Sequence, residues 1–509
     1  MKIQINGNNL TIDNVTQIAR HKAKVSLAPE AIDKINASAA LIQRLVDKDI
    51  AIYGVTTGIG EFARIRVSPE QGSELQRKII YSHAAGTGDP FPEEVVRAAM
   101  VLRANTLCRG NSGVRKHLPE TLLEMVNKGV TPVVYEKGSL GTSGDLSPLS
   151  QLAVVLLGEG EAFYKGKRMH GGIAMQKAGI DIIELGYKEG LGLINGSQVC
   201  TGGSALQLVD ARNLIKNAFI ASAMSIDALK GVQTAYDARL HATRPFNGQN
   251  VVAKHLRTLM ADSGIIADGS GKVQDGYSMR CTPQVYGPTV DAWKYVHNQV
   301  ETEMNSTADN PLFFTEDETY LAGGNFHSQN ISMAMDFLGI AMAEIANLSE
   351  RHTNRLMNPV LSGLPDFLIE GKGVNSGLMV AQYTAAALVS ENKILAHPAV
   401  VDSISVSADQ EDHVAMTPIA VRKCGEILRN VGAVLAIEMM SAAQGFDFHK
   451  PLKPGKGTRV AYAKIREVVD FMEEDRVLYP DIEKILALVR DGSIVKAVED
   501  EVGELGFDW

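Results

Sequence analysis

Five stretches of this chain, residues 203–230, 289–304, 331–357, 377–397 and 413–444, keep apolar residues at helical spacing well past the average helix length. Several of them are apolar around much of their circumference, with Ala, Gly and Ser set among Leu, Ile and Met. A helix of that kind cannot leave one face in water, so it must be covered on more than one side, at the centre of a large bundle or at an interface between subunits. The chain is therefore expected to be mainly α, built on a large central bundle of long helices. Glu438, inside the apolar run 431–443, marks that run as a packed core helix.

The first part of the chain has a different character. Ile3 and Ile5, Asn6-Gly7, then Leu10 and Ile12 predict a short hairpin, and residues 162–169 predict another. Residues 92–127 carry helical spacing broken at Gly110 and Gly113, which predicts two helices meeting at a turn. The expected organisation is a smaller mixed, mostly helical N-terminal head over 1–200, followed over 201–509 by the long-helix bundle and a C-terminal helical layer. Polar residues gather in 242–250, 263–274 and 402–411, and loops at bundle ends are natural places for a site.

A formal net charge of −9 over 509 residues, without a block of basic residues, gives no attraction to nucleic acid or to an anionic membrane surface. A small-molecule partner is expected. Cys108, Cys200, Cys281 and Cys424 lie too far apart in sequence to suggest a zinc site or a disulfide framework, so buried thiols are expected. The start lacks an apolar segment behind a basic region, and no uninterrupted apolar stretch is judged long enough to span a bilayer. A cytoplasmic location follows.

Residues 138–150, Gly-Ser-Leu-Gly-Thr-Ser-Gly-Asp-Leu-Ser-Pro-Leu-Ser, carry the chemistry. The amide nitrogen of Gly144, unhindered by a Cβ on its own residue, can attack the carbonyl carbon of Thr142. Loss of water there and from Ser143 leaves a ring bearing an exocyclic methylidene, 4-methylidene-imidazol-5-one. Side chains offer almost no strong carbon electrophile, and such a ring supplies one without a diffusible cofactor. The ordinary alternative is a turn in which Ser143 or Asp145 caps the helix that follows.

The surroundings of this loop favour the ring. Ile52-Tyr53-Gly54-Val55-Thr56-Thr57-Gly58, Tyr81-Ser82-His83-Ala84-Ala85-Gly86, Leu193-Ile194-Asn195-Gly196, Tyr277-Ser278-Met279-Arg280, Asn305 to Pro311, Gly323-Gly324-Asn325-Phe326-His327 and Gln410-Glu411-Asp412-His413 follow in order. Together with the 138–150 loop they resemble the aromatic amino acid ammonia-lyases and 2,3-aminomutases over essentially the whole chain, and within that family the histidine ammonia-lyases. The resemblance implies a fumarase/aspartase-like helical bundle. It also implies a homotetramer whose active sites combine loops from three subunits, and a ring formed from Thr142-Ser143-Gly144 with no metal. The implied reaction converts L-histidine to trans-urocanate and ammonia, opening histidine degradation.

The same resemblance assigns roles. Tyr53 is the candidate base, and because a phenol has a pKa of ~10, nearby positive dipoles such as helix N-termini are expected to lower it. His83, paired with Ser82, would face the substrate ring, and Glu411 would engage the imidazole; phenylalanine has no partner for that carboxylate. The competing role for Glu411 and Asp412 is to stabilise a helix beginning at His413. Arg280 would grip the substrate carboxylate beside Tyr277, with Asn195 and Gln274 supplying neutral donors and acceptors and Phe326 covering the ring. Thr56, Ile59, Asp409 and Ala415 depart from the family pattern. A tyrosine ammonia-lyase or tyrosine 2,3-aminomutase using the same electrophile is the nearest rival, and an inactive helical scaffold or binding protein is the non-enzymatic one.

Overall fold

The computed structural model describes residues 2–507, and among them twenty-one α-helices account for most of the chain beside four small sheets of two or three strands. All five long helices are present, at Gln198–Ala228, Thr282–Met304, Gln329–Met357, Met379–Leu395 and Thr417–Asp447. Their starts differ from the expected ones, two of them for identifiable reasons. The second helix carries Pro288 inside it, although an interior proline costs about 3 kcal/mol. The helix Asn247–Leu259 lies directly against this turn: a Cβ on Gly287 would stand 2.5 Å from the Gln249 nitrogen, so close backbone packing holds the proline-containing turn. The last helix begins at Thr417 rather than His413, because Met416 takes a φ of 55° and gives its N–H to the Leu140 carbonyl at 2.8 Å.

The described residues form two compact units, one made of 2–206, 297–336 and 398–422, the other of 207–296, 337–397 and 423–507. Beyond a linear boundary near residue 200, two later segments thus join the N-terminal unit. Buried polar contacts tie one of them in: the Asn105 amide donates to the Met304 carbonyl at 2.9 Å, and Lys188 Nζ to Asp309 Oδ1 at 2.7 Å.

In the first unit, Leu41, Ile42, Leu45, Val46, Ile52, Val55 and Phe313 form a buried cluster directly beneath the Tyr53 loop. The expected N-terminal hairpin is absent. Lys2–Ile5 pairs in parallel with Lys24–Leu27, and Ile12 opens the helix Ile12–Ala19. Thr11 and Asn14 form a reciprocal capping box there, so the apolar residues Leu10 and Ile12 serve a helix entry and not a second strand. The second hairpin is present, Glu161–Tyr164 against Lys167–His170, with Lys165 and Gly166 both at positive φ as a tight hairpin turn requires. Helices Glu93–Cys108 and His117–Lys128 flank Gly110 and Gly113, which take φ of 79° and 71°.

In the second unit, the long helices are joined by buried polar contacts within an apolar core. Trp293 Nε1 donates to the Leu208 carbonyl at 2.9 Å, and Ser225 to Glu438 at 2.8 Å. His352 spans Glu438 Oε1 at 2.8 Å and the Ser278 carbonyl at 2.6 Å. Contrary to the reading that no stretch is long enough to span a bilayer, Gln329–Met357 has the length and hydropathy to do so. However, 61% of its apolar window is buried within the protein, as for a core helix.

Candidate active site

The turn at 141–144 is closed by its own backbone. Gly144 N–H points at the Gly141 carbonyl at 3.4 Å, and Ser139 Oγ donates to the Gly144 carbonyl at 2.9 Å while accepting from Gly141 N–H at 3.1 Å. Ser143 has a φ of 49° and Gly144 a φ of 85°. Left-handed backbone costs a serine roughly 1–2 kcal/mol, strain of the kind that persists where surrounding structure imposes it. What imposes it is Gly196, whose N–H donates to the Ser143 carbonyl at 3.2 Å and whose carbonyl accepts from Asp145 N–H at 2.6 Å. A Cβ on Gly144 would lie 2.2 Å from the Gly196 oxygen, so only glycine fits.

Neither Ser143 nor Asp145 caps the helix Leu146–Leu156 with its side chain. Ser143 Oγ instead donates to Glu411 Oε1 at 3.3 Å. Asp145 turns away and accepts from the Cys200 N–H at 2.8 Å and from its thiol at 2.9 Å, at the start of the helix Gln198–Ala228. Complete burial pushes its pKa up to about 6 despite those bonds.

Over this turn lies a cavity of about 750 Å³, lined by Tyr53, His83, Thr142, Ser143, Asn195 and Glu411 together with Ile59, Phe62 and other apolar side chains. Sequence positions from 53 to 411 therefore meet in one place. Asn195 Oδ1 and Thr142 Oγ1 are buried there without a hydrogen-bond partner, an arrangement that suits a polar ligand. The closed turn, the left-handed Ser143 and the glycine forced at 144 fit the ring expected from Thr142-Ser143-Gly144.

His83 Nδ1 sits 2.8 Å from the Ile79 carbonyl and 2.9 Å from Ser82 Oγ. A carbonyl only accepts, so Nδ1 carries a proton and donates to it, which leaves Nε2 free to face a ligand. Glu411 is half-buried, and burial raises its pKa while the Ser143 hydrogen bond and His83 pull it down. Its position does not fit the helix-stabilising role: the helix starts at Thr417, so Glu411 and Asp412 lie outside its first turn. Ser407, Ala408 and Asp409, all left-handed, form a tight loop closed by paired Val406 and Glu411 backbone bonds, and this loop presents the carboxylate.

Tyr53 OH accepts from the Gly60 N–H at 3.0 Å. The expected lowering of its pKa is not found: burial raises it, the Gly60 bond acts the other way, and the nearby Glu411 charge raises it further. The phenol sits among apolar side chains facing a carboxylate, and one amide dipole does not outweigh both. Thr56, one of the departures from the family pattern, locks this loop by accepting from Ile52 N–H at 2.9 Å and donating to the Ile50 carbonyl at 2.8 Å.

The remaining predicted residues lie elsewhere. Gln274 and Arg280 line a cavity of about 300 Å³ in the second unit, and Tyr277, 74% exposed, packs its ring 4.7 Å from the Arg280 guanidinium carbon. Arg280 Nε is buried without a partner. Phe326 belongs to the first unit, half-buried and outside the lining of the large cavity. Sequence reasoning missed Phe62, which lines the cavity although 64% exposed; its place just beyond the Ile52 to Gly58 motif was the available signal. It also missed Ser139, which the small-residue run could have suggested.

The family model for "Aromatic amino acid lyase" matches residues 10–467. A histidine ammonia-lyase of Alkaliphilus oremlandii is 50% identical over 98% of this chain and 99% of its own length. Among solved structures, histidine ammonia-lyase from Trypanosoma cruzi superimposes with a TM-score of 0.92 at 39% identity, covering 99% of this chain and 96% of that one. Tyrosine aminomutase from Streptomyces globisporus superimposes with a TM-score of 0.94 at 35% identity, covering 99% of both chains. With a glycine-held turn beneath a cavity that gathers Tyr53, His83, Asn195 and Glu411, and with this likeness along its whole length, the chain belongs to the aromatic amino acid lyase family.

Proposed function

We propose that this protein is a histidine ammonia-lyase, a carbon–nitrogen lyase that releases ammonia from L-histidine and leaves trans-urocanate. The observation that carries the substrate is Glu411, whose carboxylate stands 3.3 Å from Ser143 Oγ in the cavity that also holds His83. A neutral imidazole ring has one N–H for the Glu411 carboxylate and a second ring nitrogen for His83; a benzene ring gives neither side chain a hydrogen-bonding partner.

The 4-methylidene-imidazol-5-one ring, formed from Thr142-Ser143-Gly144, supplies an electrophilic carbon for the substrate amine and so makes the nitrogen a better leaving group. The Tyr53 phenolate oxygen takes the β-proton. Because burial and the Glu411 charge disfavour its phenolate, a substrate N–H or imidazolium seated on Glu411 offsets the second of these and eases ionisation. The partnerless Asn195 Oδ1 accepts from the substrate amino group or a water beside it. Arg280 grips the substrate carboxylate bidentately, with Tyr277 and Gln274 beside it and Phe326 excluding water. We assign these four residues to the site through assembly of a cytoplasmic homotetramer with shared active sites.

Incubating the purified protein separately with L-histidine, L-tyrosine and L-phenylalanine tests the reading. Urocanate as the dominant product is expected; a predominance of coumarate, cinnamate or β-amino acids would overturn the substrate assignment. Mixing inactive Ser143→Ala and Arg280→Ala proteins under conditions of subunit exchange should restore part of the activity if copies share sites, and no recovery by exchanged tetramers would refute the sharing.

A further inference from the structure

Arg103 has no place in any motif and is fully buried. Its Nη1 donates to the Asn195 carbonyl at 2.7 Å, to Gln198 Oε1 at 2.9 Å and to the Ala308 carbonyl at 3.1 Å. Balancing Asp309 does not account for it. Asp309 stands 3.6 Å from Arg103 Nη2 but is already paired with the equally buried Lys188 at 2.7 Å, so this cluster contains two cations and one anion. A surplus buried charge is costly, so pairing with Asp309 does not explain why an arginine stands here.

The useful contact is the one to Asn195. Arg103 holds the carbonyl end of the Asn195–Gly196 peptide, and the N–H end of that same peptide donates to the Ser143 carbonyl at 3.2 Å. A cation on the oxygen of an amide draws density from its nitrogen and strengthens the N–H as a donor, the cooperative effect expected of linked hydrogen bonds in a dry interior. The geometry leaves no room for another residue at this link. Gly196 has a φ of 144°, and a Cβ on it would lie 2.4 Å from the Ala308 oxygen and 2.7 Å from Arg103 Nη1.

We propose that Arg103 is a positioning residue for formation of the electrophile, acting through the Asn195–Gly196 peptide to hold and polarise the Ser143 carbonyl. This rests on the ring-forming reading given above. In that reaction the Gly144 nitrogen bonds to the Thr142 carbonyl carbon and its proton passes to the carbonyl oxygen. The resulting hydroxyl leaves with the Ser143 amide proton as one water. The Ser143 hydroxyl leaves with the Ser143 Cα proton as the second, so no oxidant or reductant enters. A polarised Ser143 carbonyl makes that Cα proton more acidic, and a held Ser143–Asp145 segment keeps the Gly144 nitrogen in place for attack.

Arg103→Gln tests this, because its removal leaves Lys188 and Asp309 as a balanced pair and creates no unpaired buried charge. Intact mass is followed at intervals after a pulse of cell-free synthesis for wild type, Arg103→Gln and Arg103→Lys, and thermal unfolding is measured on each soluble product. Wild type is expected to lose two waters. Arg103→Gln is expected to fold but lose them about tenfold to a hundredfold more slowly, and Arg103→Lys, which keeps a cation, to recover part of that rate. A merely structural role would lower the melting temperature without changing the mass of folded molecules. Complete dehydration of Arg103→Gln at the wild-type rate overturns the proposal, as does a folded Arg103→Lys no faster than Arg103→Gln. Should Arg103→Gln not fold, Gln198→Met replaces it, with slower dehydration supporting the role of Arg103 and an unchanged rate refuting it. A wild-type protein that keeps both waters sinks the ring-forming reading itself, a result distinct from any of these.

Discussion

Replacing Glu411 with glutamine separates the two things this carboxylate does in the cavity. The amide keeps the size of the side chain and can still accept from Ser143 Oγ, which lies 3.3 Å from Glu411 Oε1, so ring formation should survive and intact mass should confirm it. What is lost is the charge facing the substrate imidazole. A hydrogen bond to a charged group contributes about 1.5–3 kcal/mol, which corresponds to roughly a tenfold to a hundredfold fall in kcat/KM for histidine if the bond is fully made in the transition state. A second effect runs the other way. Burial is the largest cause raising the Tyr53 pKa and will remain, but the contribution from the Glu411 charge will go. With Tyr53 as the proposed base acting as its phenolate, the rising limb of the pH–rate profile should move to lower pH in the variant. Folding stability should hold or rise slightly, because the folded protein raises the Glu411 pKa and so disfavours the charge that the substitution removes. The assay is steady-state urocanate formation across pH, with thermal unfolding alongside. Wild-type histidine kinetics in a variant with a lowered melting temperature would show Glu411 to be a structural acid and would remove the main support for histidine as substrate.

Ser143→Ala should fold normally, keep the mass of the unmodified chain and lose nearly all activity, whereas Thr142→Ala should still lose two waters because only the Thr142 backbone enters the ring; mass spectrometry of both variants decides. Gly144→Ala should express poorly or melt well below wild type, since its Cβ would sit 2.2 Å from the Gly196 oxygen at a φ of 85°, and a stable, dehydrated Gly144→Ala protein would contradict the geometry of the turn. Asp145 has its pKa raised from 3.8 to about 6, so the folded state binds its proton more tightly than the unfolded state; its contribution is largest at low pH and is lost as pH rises through that interval. Denaturant titrations between those pH values should show the decline in wild type and a flatter profile in Asp145→Asn, and identical profiles would argue against the shift.

Much of this protein was legible in the order of its residues. Long helices declare themselves because an apolar periodicity sustained over several turns has few other uses, and the Thr142-Ser143-Gly144 turn declares itself because its chemistry depends on backbone neighbours. Tyr53, His83, Asn195 and Glu411 were also nameable, since each stands in a local motif. Other features depended on groups remote in sequence. The entry of Ile12 into a helix was read as a strand, since two alternating apolar residues fit both and only the capping box separates them. The second long helix was expected only from residue 289, and the close approach of Gln249 to Gly287 shows how the turn carrying Pro288 is kept within it. The direction of the Tyr53 shift required the burial of the phenol and the nearness of Glu411, which lies far along the chain. Arg103 illustrates the limit most sharply: its sequence neighbours are ordinary core-helix residues, and its importance lies in meeting residues 195, 198, 308 and 309 in one dry place. Residue types and spacing determined which helices and which reactive turn this chain can form, because those depend on nearest neighbours along the backbone. Tertiary structure alone decided which charges share a low-dielectric interior and which glycines are irreplaceable, because electrostatic and steric energies depend on distance through space.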